Sequence, residues 1–283
     1  MNILDALRGG GARQHYRRRG YHVFRGAFPA EEINAIAAMA RTVSGFDGKL
    51  RRQDGLFSTN DSFPGTTLVR NPLLHPHLGL PRPLERLATA LRSLVTSPAL
   101  SSHLQGLDGE RHYIIHQVLL FFAAQTTDLH LDSWSLDTAP LGRSHTVWIP
   151  LQHMGHDAGV PAVIPWPIDH VVREEALGLV PSEAAPRDER YELYHRALRA
   201  KLLRGSPEIA TSLMRTGDCM IWSSLTPHFT LPSRHFPTER LSLQVLIRPA
   251  RLPWGDFMSQ PYGKTSVQLQ RISNRFSIRV VMD

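Results

Sequence analysis

The chain has 283 residues, 42% hydrophobic and 20% charged, which is apolar material enough for one large domain or two small ones. Its single cysteine, Cys219, excludes an internal disulfide, and no apolar run approaches the roughly 18 residues of a membrane-spanning helix. The formal charge is +7, yet the arginines are scattered and only Arg17-Arg18-Arg19 forms a dense run, so the basic balance reads as a solvated surface and no nucleic-acid partner is expected.

At the N-terminus, Ile3, Leu4, Ala6 and Leu7 before Gly9-Gly-Gly11 are too few for a secretory core, so the expected location is a reducing cytoplasm. Ala12 to Arg19 reads as a short polar helix closed by Gly20, and Tyr21 to Arg25 alternates as a strand. Pro29, Glu31 and Glu32 open a helix whose apolar face is Ile33, Ile36, Ala37 and Ala40. Residues 44 to 80 are rich in Gly, Pro and Asp and read as loop with short pieces of structure. Helical spacing returns from Pro83 to Leu94, with a further turn around Leu100 to Leu104.

Strands are expected at Arg111–Ala123, Asp128–Trp134, His145–Gln152, Ile209–Met214, Cys219–Ser223, Arg240–Arg248 and Phe276–Met282. Val160–Pro165 is a shorter one that its prolines limit to an edge or bend. Residues 186 to 204 read as a helix inserted between strands, a candidate lid, and Gly217-Asp218 as a β-turn. Helices first, then many short strands with long connections, make the fold α+β, mainly β, with a jelly-roll (cupin-like) core. The chain reads as one domain over 1–283: helical support over 1–105, and a core over 106–283 with an insertion at 166–208.

The chemistry centres on Asp128-Leu-His-Leu-Asp-Ser-Trp134. A strand there places His130 and Asp132 on one face, roughly 7 Å apart along the backbone. His228, in Leu225-Thr-Pro-His-Phe-Thr230, supplies a distant third ligand. Two histidines and a carboxylate hold non-haem Fe(II) by one face and leave its other positions open. The same three residues suit a zinc hydrolase, and a catalytically silent β-barrel binding a ligand or nucleic acid is a further alternative. Ser133, Ser223 and Ser224 lie near histidines, but no G-x-S-x-G elbow surrounds them. His75, His77, His103, His153, His156 and His195 read as surface or capping residues, His145 and His170 as structural, and Trp134 as core.

These features together resemble the phytanoyl-CoA dioxygenase family of Fe(II)/2-oxoglutarate oxygenases. The opening from Tyr16-Arg-Arg-Arg-Gly-Tyr through Pro29-Ala-Glu-Glu-Ile33, then His130-Leu-Asp132, Gly217-Asp218, His228 and Arg240, carries the resemblance. It implies a double-stranded β-helix core, with His130, Asp132 and His228 as iron ligands. It implies that Arg240 pairs with the distal carboxylate of 2-oxoglutarate, as a planar guanidinium suits. Thr230 resembles the family's hydroxyl residue near that carboxylate, Trp148 an aromatic against the cosubstrate, and Gln117 a pocket-facing residue. The implied cofactors are Fe(II), 2-oxoglutarate and O2, with ascorbate as a reductant. The expected substrate is a small molecule, anionic in keeping with the basic balance, hydroxylated or otherwise oxidised at an unactivated C–H, since desaturation, ring closure and epimerisation use the same triad. Related halogenases carry Gly or Ala where Asp132 stands, so its carboxylate argues for oxidation over halogenation. Where many members have Pro-Gly-Ser-His, this chain reads Val163-Ile-Pro-Trp-Pro-Ile-Asp-His170, a departure on the substrate side.

Overall fold

A polar helix, α1 (Ile3–Arg19), begins the computed structural model, which describes residues 3–134, 136–155, 157–180, 186–255 and 269–279. It is longer than the expected 12–19, continuing back through the three glycines. Gly20 closes it with φ +75° and its N–H on the Tyr16 carbonyl at 2.8 Å. A Cβ there would come within 2.3 Å of Thr226 and of the Trp166 carbonyl, so close packing also requires glycine. In α2 (Ala30–Arg41), Ile33, Ile36, Ala37 and Ala40 are buried, and α3 (Glu85–Val95) buries Leu87, Leu91 and Leu94. The single turn expected near Leu100 is a full helix, α4 (Pro98–Asp108). Its start and stop signals stand in the sequence: the Ser97 side chain accepts the Leu100 N–H, Pro98 takes the first turn, and Gly109 caps the end at φ 87°.

The strands that build the site are β1 (Tyr21–Phe24), β2 (Leu73–Leu74), β3 (Tyr113–Ala123), β4 (His145–Pro150), β5 (Pro161–Val163), β6 (Ala210–Thr211), β7 (Cys219–Ser223), β8 (His228–Thr230), β9 (Glu239–Pro249), β10 (Leu269–Arg271) and β11 (Phe276–Arg279). The inserted helix α5 (Arg187–Arg204) precedes β6. Among the described residues, the larger sheet runs β1-β7-β4-β9-β3-β11-β10, with β2 also on β3, and the smaller one runs β8-β5-β6. Together they form a double-stranded β-helix. The expected strand over 209–214 shortens to two residues, and the last one is described over Phe276–Arg279, its expected continuation to Met282 lying outside the described residues. β5 lies in the middle of its sheet and not at an edge. Pro161 is its first residue, opposite Thr230, so the missing N–H falls at the strand's end.

Alternation along β9 sorts two functions onto two faces. Leu241, Leu243, Val245 and Ile247 join the helices in a core that reaches from Tyr16 to Ile278. Arg240, Gln244 and Leu246 face the other way, into the space between the sheets. On β3, Val118, Leu120 and Phe122 face the helices while Gln117, Leu119 and Phe121 face inward. A register shift opposite Leu246 and Ile247 inserts His116 and changes the phase, a β-bulge.

The Gly217-Asp218 turn is present and does more than reverse the chain. Gly217 has φ +92°, and a Cβ would lie 2.5 Å from the Phe28 carbonyl. The Asp218 carboxylate accepts from the Gly26 N–H at 2.9 Å, the Arg215 N–H at 3.0 Å and the Arg25 guanidinium at 2.6 Å, tying the end of β1 to the start of β7. Burial works against its charge, but these donors and Arg25 hold its pKa below the usual carboxylate range. A depressed folded pKa stabilises above the unfolded value and is lost as pH falls through the folded one. Asp218→Ala is therefore expected to lower stability by about 2 kcal/mol at neutral pH, with a deficit that narrows below about pH 4. Urea unfolding at the two pH values measures this, and an unchanged neutral midpoint would remove Asp218 from the stabilising set.

Candidate metal centre

His130 and His228 stand directly opposite each other. The His130 N–H bonds the His228 carbonyl at 3.0 Å, and the His228 N–H bonds the His130 carbonyl at 3.1 Å. Residues paired in this way project their side chains to one face, and the ring centroids lie 4.2 Å apart. The strand expected over 128–134 is reduced to this one bridge. The donors beyond it leave the ladder: the Leu131 N–H goes to the His195 ring at 3.2 Å and the Ser133 N–H to the Ser224 carbonyl at 2.9 Å. Asp132 opens a 3-10 turn, Asp132–Trp134. The turn, not β alternation, aims its carboxylate at the two rings. Asp132 Oδ1 lies 3.8 Å from His130 Nε2 and 3.7 Å from His228 Nε2.

The surroundings decide which atom each residue presents. His130 Nδ1 is 2.8 Å from the Asp128 carbonyl and His228 Nδ1 is 2.9 Å from the Thr226 carbonyl. A carbonyl only accepts, so both Nδ1 atoms carry hydrogen and both Nε2 lone pairs face the gap. Asp132 Oδ2 receives the Thr146 hydroxyl at 2.5 Å and the Trp222 indole N–H at 3.2 Å, leaving Oδ1 for the gap. Burial lowers the His228 pKa to about 4 although Asp132 opposes it, so the ring is neutral near pH 7. Burial would raise the Asp132 pKa, but His228, His130 and the two donors hold it below the usual range, keeping the carboxylate charged. Two imidazole nitrogens and one anionic oxygen lie within 4.8 Å of one another, too far apart to satisfy each other by hydrogen bonds. Such a donor set can hold a divalent metal ion.

A cavity of about 300 Å³ lies above this gap, and His130, Asp132, His228, Arg240, Thr230, Trp148 and Gln117 all line it. Arg240 is 4% exposed, donates to the Gly159 carbonyl and sits 5.9 Å from the Phe121 ring centroid. Among the described residues no carboxylate pairs with it, and its Nε has no hydrogen-bond partner. Burial lowers its pKa to about 10, which leaves it protonated at neutral pH. A buried cation of this kind calls for an anion. Trp148, 2% exposed and opposite Gln244, serves both the cavity wall and a core cluster with Met220 and Trp222.

Thr146 and Trp222 escape a sequence reading, although Thr146 lies two residues before Trp148 and so on its face. Trp222 is its register partner across β7 and β4. Three histidines expected at the surface are buried: His75, His77 and His195 are 8%, 0% and 3% exposed. His103 is half-buried, His153 is exposed, and His156 falls outside the described residues. His145 is structural as expected, held by Tyr16 at 2.6 Å and Asp108 at 2.8 Å, and His170 is exposed beside Trp166. Trp134 is core, at 1% exposure.

Comparison with solved structures gives the same fold. The epimerase SnoN, in complex with Fe3+, α-ketoglutarate and nogalamycin RO, is 20% identical with TM-score 0.57, covering 99% of this chain and 98% of its own. The α-ketoglutarate-dependent carbocyclase SnoK from nogalamycin biosynthesis is 18% identical with TM-score 0.59, covering 86% and 85%. EctD from S. alaskensis with bound Fe is 18% identical with TM-score 0.55, covering 92% and 80%. No curated protein sequence matches the chain. The family model for phytanoyl-CoA dioxygenase matches residues 16–235, most of the length. With the fold, the site and that match agreeing, the chain belongs to the phytanoyl-CoA dioxygenase family of iron(II)- and 2-oxoglutarate-dependent oxygenases.

Proposed function

We propose that His130, Asp132 and His228 hold the iron(II) of this oxygenase, and that Arg240 binds the distal carboxylate of 2-oxoglutarate. The observation that carries this reading is their convergence in one cavity: three donors facing a common gap, and a buried arginine with no carboxylate partner among the described residues. Thr230, two residues beyond His228, Trp148 and Gln117 complete the surroundings of the cosubstrate. When bound, the iron with 2-oxoglutarate and O2 supplies the oxidant that removes hydrogen from a substrate C–H, releasing succinate and CO2. The chain's own part is to orient and to exclude water. The Asp128 and Thr226 carbonyls fix the imidazole tautomers, Thr146 and Trp222 hold the Asp132 carboxylate, and Trp148, Trp222 and Phe121 form apolar walls.

The substrate read from the remaining lining is a small, uncharged molecule with hydrogen-bonding groups. Gln53, Gln125, Gln244 and Tyr191 supply amides and a phenol, and Arg240 is the one arginine or lysine among the described lining residues. Among the described lining residues the cavity thus holds little of the chain's positive charge, and this supports reading the substrate as uncharged where the overall charge suggests an anionic one. We read the chain as one domain over 1–283, because one apolar core takes in residues from Tyr16 to Ile278.

Purified protein with Fe(II) and ascorbate is expected to release succinate from 2-oxoglutarate; no release across varied substrates would overturn the reading. Arg240→Ala should weaken 2-oxoglutarate binding at least about 10-fold with iron content nearly unchanged, and equal loss of both would make Arg240 structural. Asp132→Ala should lower iron occupancy, and full activity in that variant would remove Asp132 from the ligand set. Thr146→Val should weaken iron binding by about 10- to 100-fold, and wild-type affinity would leave the hydroxyl without a role.

A further inference from the structure

The inserted helix α5 lies along the segment that carries two of the metal-centre residues and grips it at three points. Arg187 donates to the Trp134 carbonyl at 3.1 Å, Arg199 pairs with Asp128 at 3.0 Å, and His195 meets the Leu131 N–H midway between them at 3.2 Å. Leu131 is the residue between His130 and Asp132. We propose that His195 is a positioning residue of the metal centre, its Nε2 accepting the Leu131 amide and so setting the turn that aims Asp132 at the ion. The proposal rests on His130, Asp132 and His228 being the ligands.

The geometry assigns the roles without ambiguity. His195 Nδ1 lies 2.8 Å from the Tyr191 carbonyl, which can only accept, so Nδ1 carries hydrogen and Nε2 is the acceptor. The ring is 3% exposed and wedged among Trp134, Tyr191 and Tyr194, with centroids 5.6, 4.1 and 5.1 Å away. It has little freedom to turn. The nearby backbone donors of His130 and Ser133 are already committed, to His228 and to Ser224. Without His195 the Leu131 N–H would be a buried donor with no acceptor, a penalty that a small rotation of the turn would relieve. That rotation would carry the Asp132 carboxylate away from its Thr146 and Trp222 donors. One helical turn before His195, Tyr191 lines the cavity itself, so α5 is a splint for the ligand segment as well as part of the wall.

Two substitutions in the full chain separate this role from packing. His195→Phe keeps the ring volume and removes the acceptor; His195→Gln restores an acceptor at the reach of Nε2. Anaerobic Fe(II) titration, followed by the visible charge-transfer band formed with 2-oxoglutarate, is the readout, with thermal melting to check folding. Expected is a loss of Fe(II) affinity of about 10- to 100-fold and a displaced band for His195→Phe, largely recovered in His195→Gln. If His195→Phe does not fold, His195→Asn, whose shorter amide stops short of Leu131, takes its place with the same expectation. Wild-type affinity and band in the variant lacking the acceptor would overturn the proposal, and so would equal impairment in His195→Gln. If Asp132→Ala binds Fe(II) as the wild type does, it is the assignment of the ligands that fails, and the role of His195 with it.

Discussion

Two reciprocal backbone hydrogen bonds between His130 and His228 are the constraint on which the site depends. They make the two residues a directly opposed antiparallel pair, so both imidazoles leave the backbone on one side. Each bond contributes about 1 kcal/mol net, too little to hold the arrangement alone. The pair persists because it is supported from both directions. β8 continues into a ladder with β5, where His228 faces Val163, while the other partner's segment is held under α5. Displacing either support would separate two donors that are far apart in sequence.

The same strands that bury the core also present the chemistry, and period-two alternation keeps these tasks apart. On β9 the leucine, valine and isoleucine side stabilises the larger sheet against the helices, and the opposite side carries Arg240 and Gln244. A guanidinium taken out of water without a carboxylate opposes folding. Among the described residues no carboxylate offsets that burial, and local conflict with the rules of a stable interior is where function is expected to lie, which is the ground on which Arg240 is proposed as the cosubstrate's partner. Asp132 shows the converse: its burial is offset within the protein by Thr146, Trp222 and the histidines.

The inserted helix changes how the polypeptide around the site should be viewed. Its charged exterior and its position between strands read as a lid. Yet Tyr194 and Leu198 are buried against Leu129, Leu131 and Trp134, and Arg190 pairs with Glu174 at 2.6 Å. An apolar cluster, an ion pair and three contacts to one short segment dock this helix against the residues proposed to hold the metal.

Much of this was legible in residue order. Spacing marks α2, α3 and the long strands; the caps at Ser97 and Gly109 mark α4 for a reader who weighs them; and His130, Asp132, His228 and Arg240 stand out by type and family pattern. The proposed ligands do meet in the fold, but through a local geometry other than the expected one, a bridge and a turn in place of a strand. The reason is that the donors of Leu131 and Ser133 are taken by groups remote in sequence, His195 and Ser224, which no local pattern reveals. Thr146 and Trp222 were hidden for a related reason, since their pairing is a matter of register between β4 and β7. Sequence alone thus determined most of the elements and the donor types, because these follow from periodicity, capping and side-chain chemistry, while the reaction class came from the resemblance to a known family. Only the tertiary structure decided which atoms of His130, Asp132 and His228 face one another, that Arg240 is the one arginine or lysine among the described residues lining the cavity, and that an inserted helix contacts the turn at Asp132. Those depend on hydrogen bonds and burial between segments that meet only once the chain has folded.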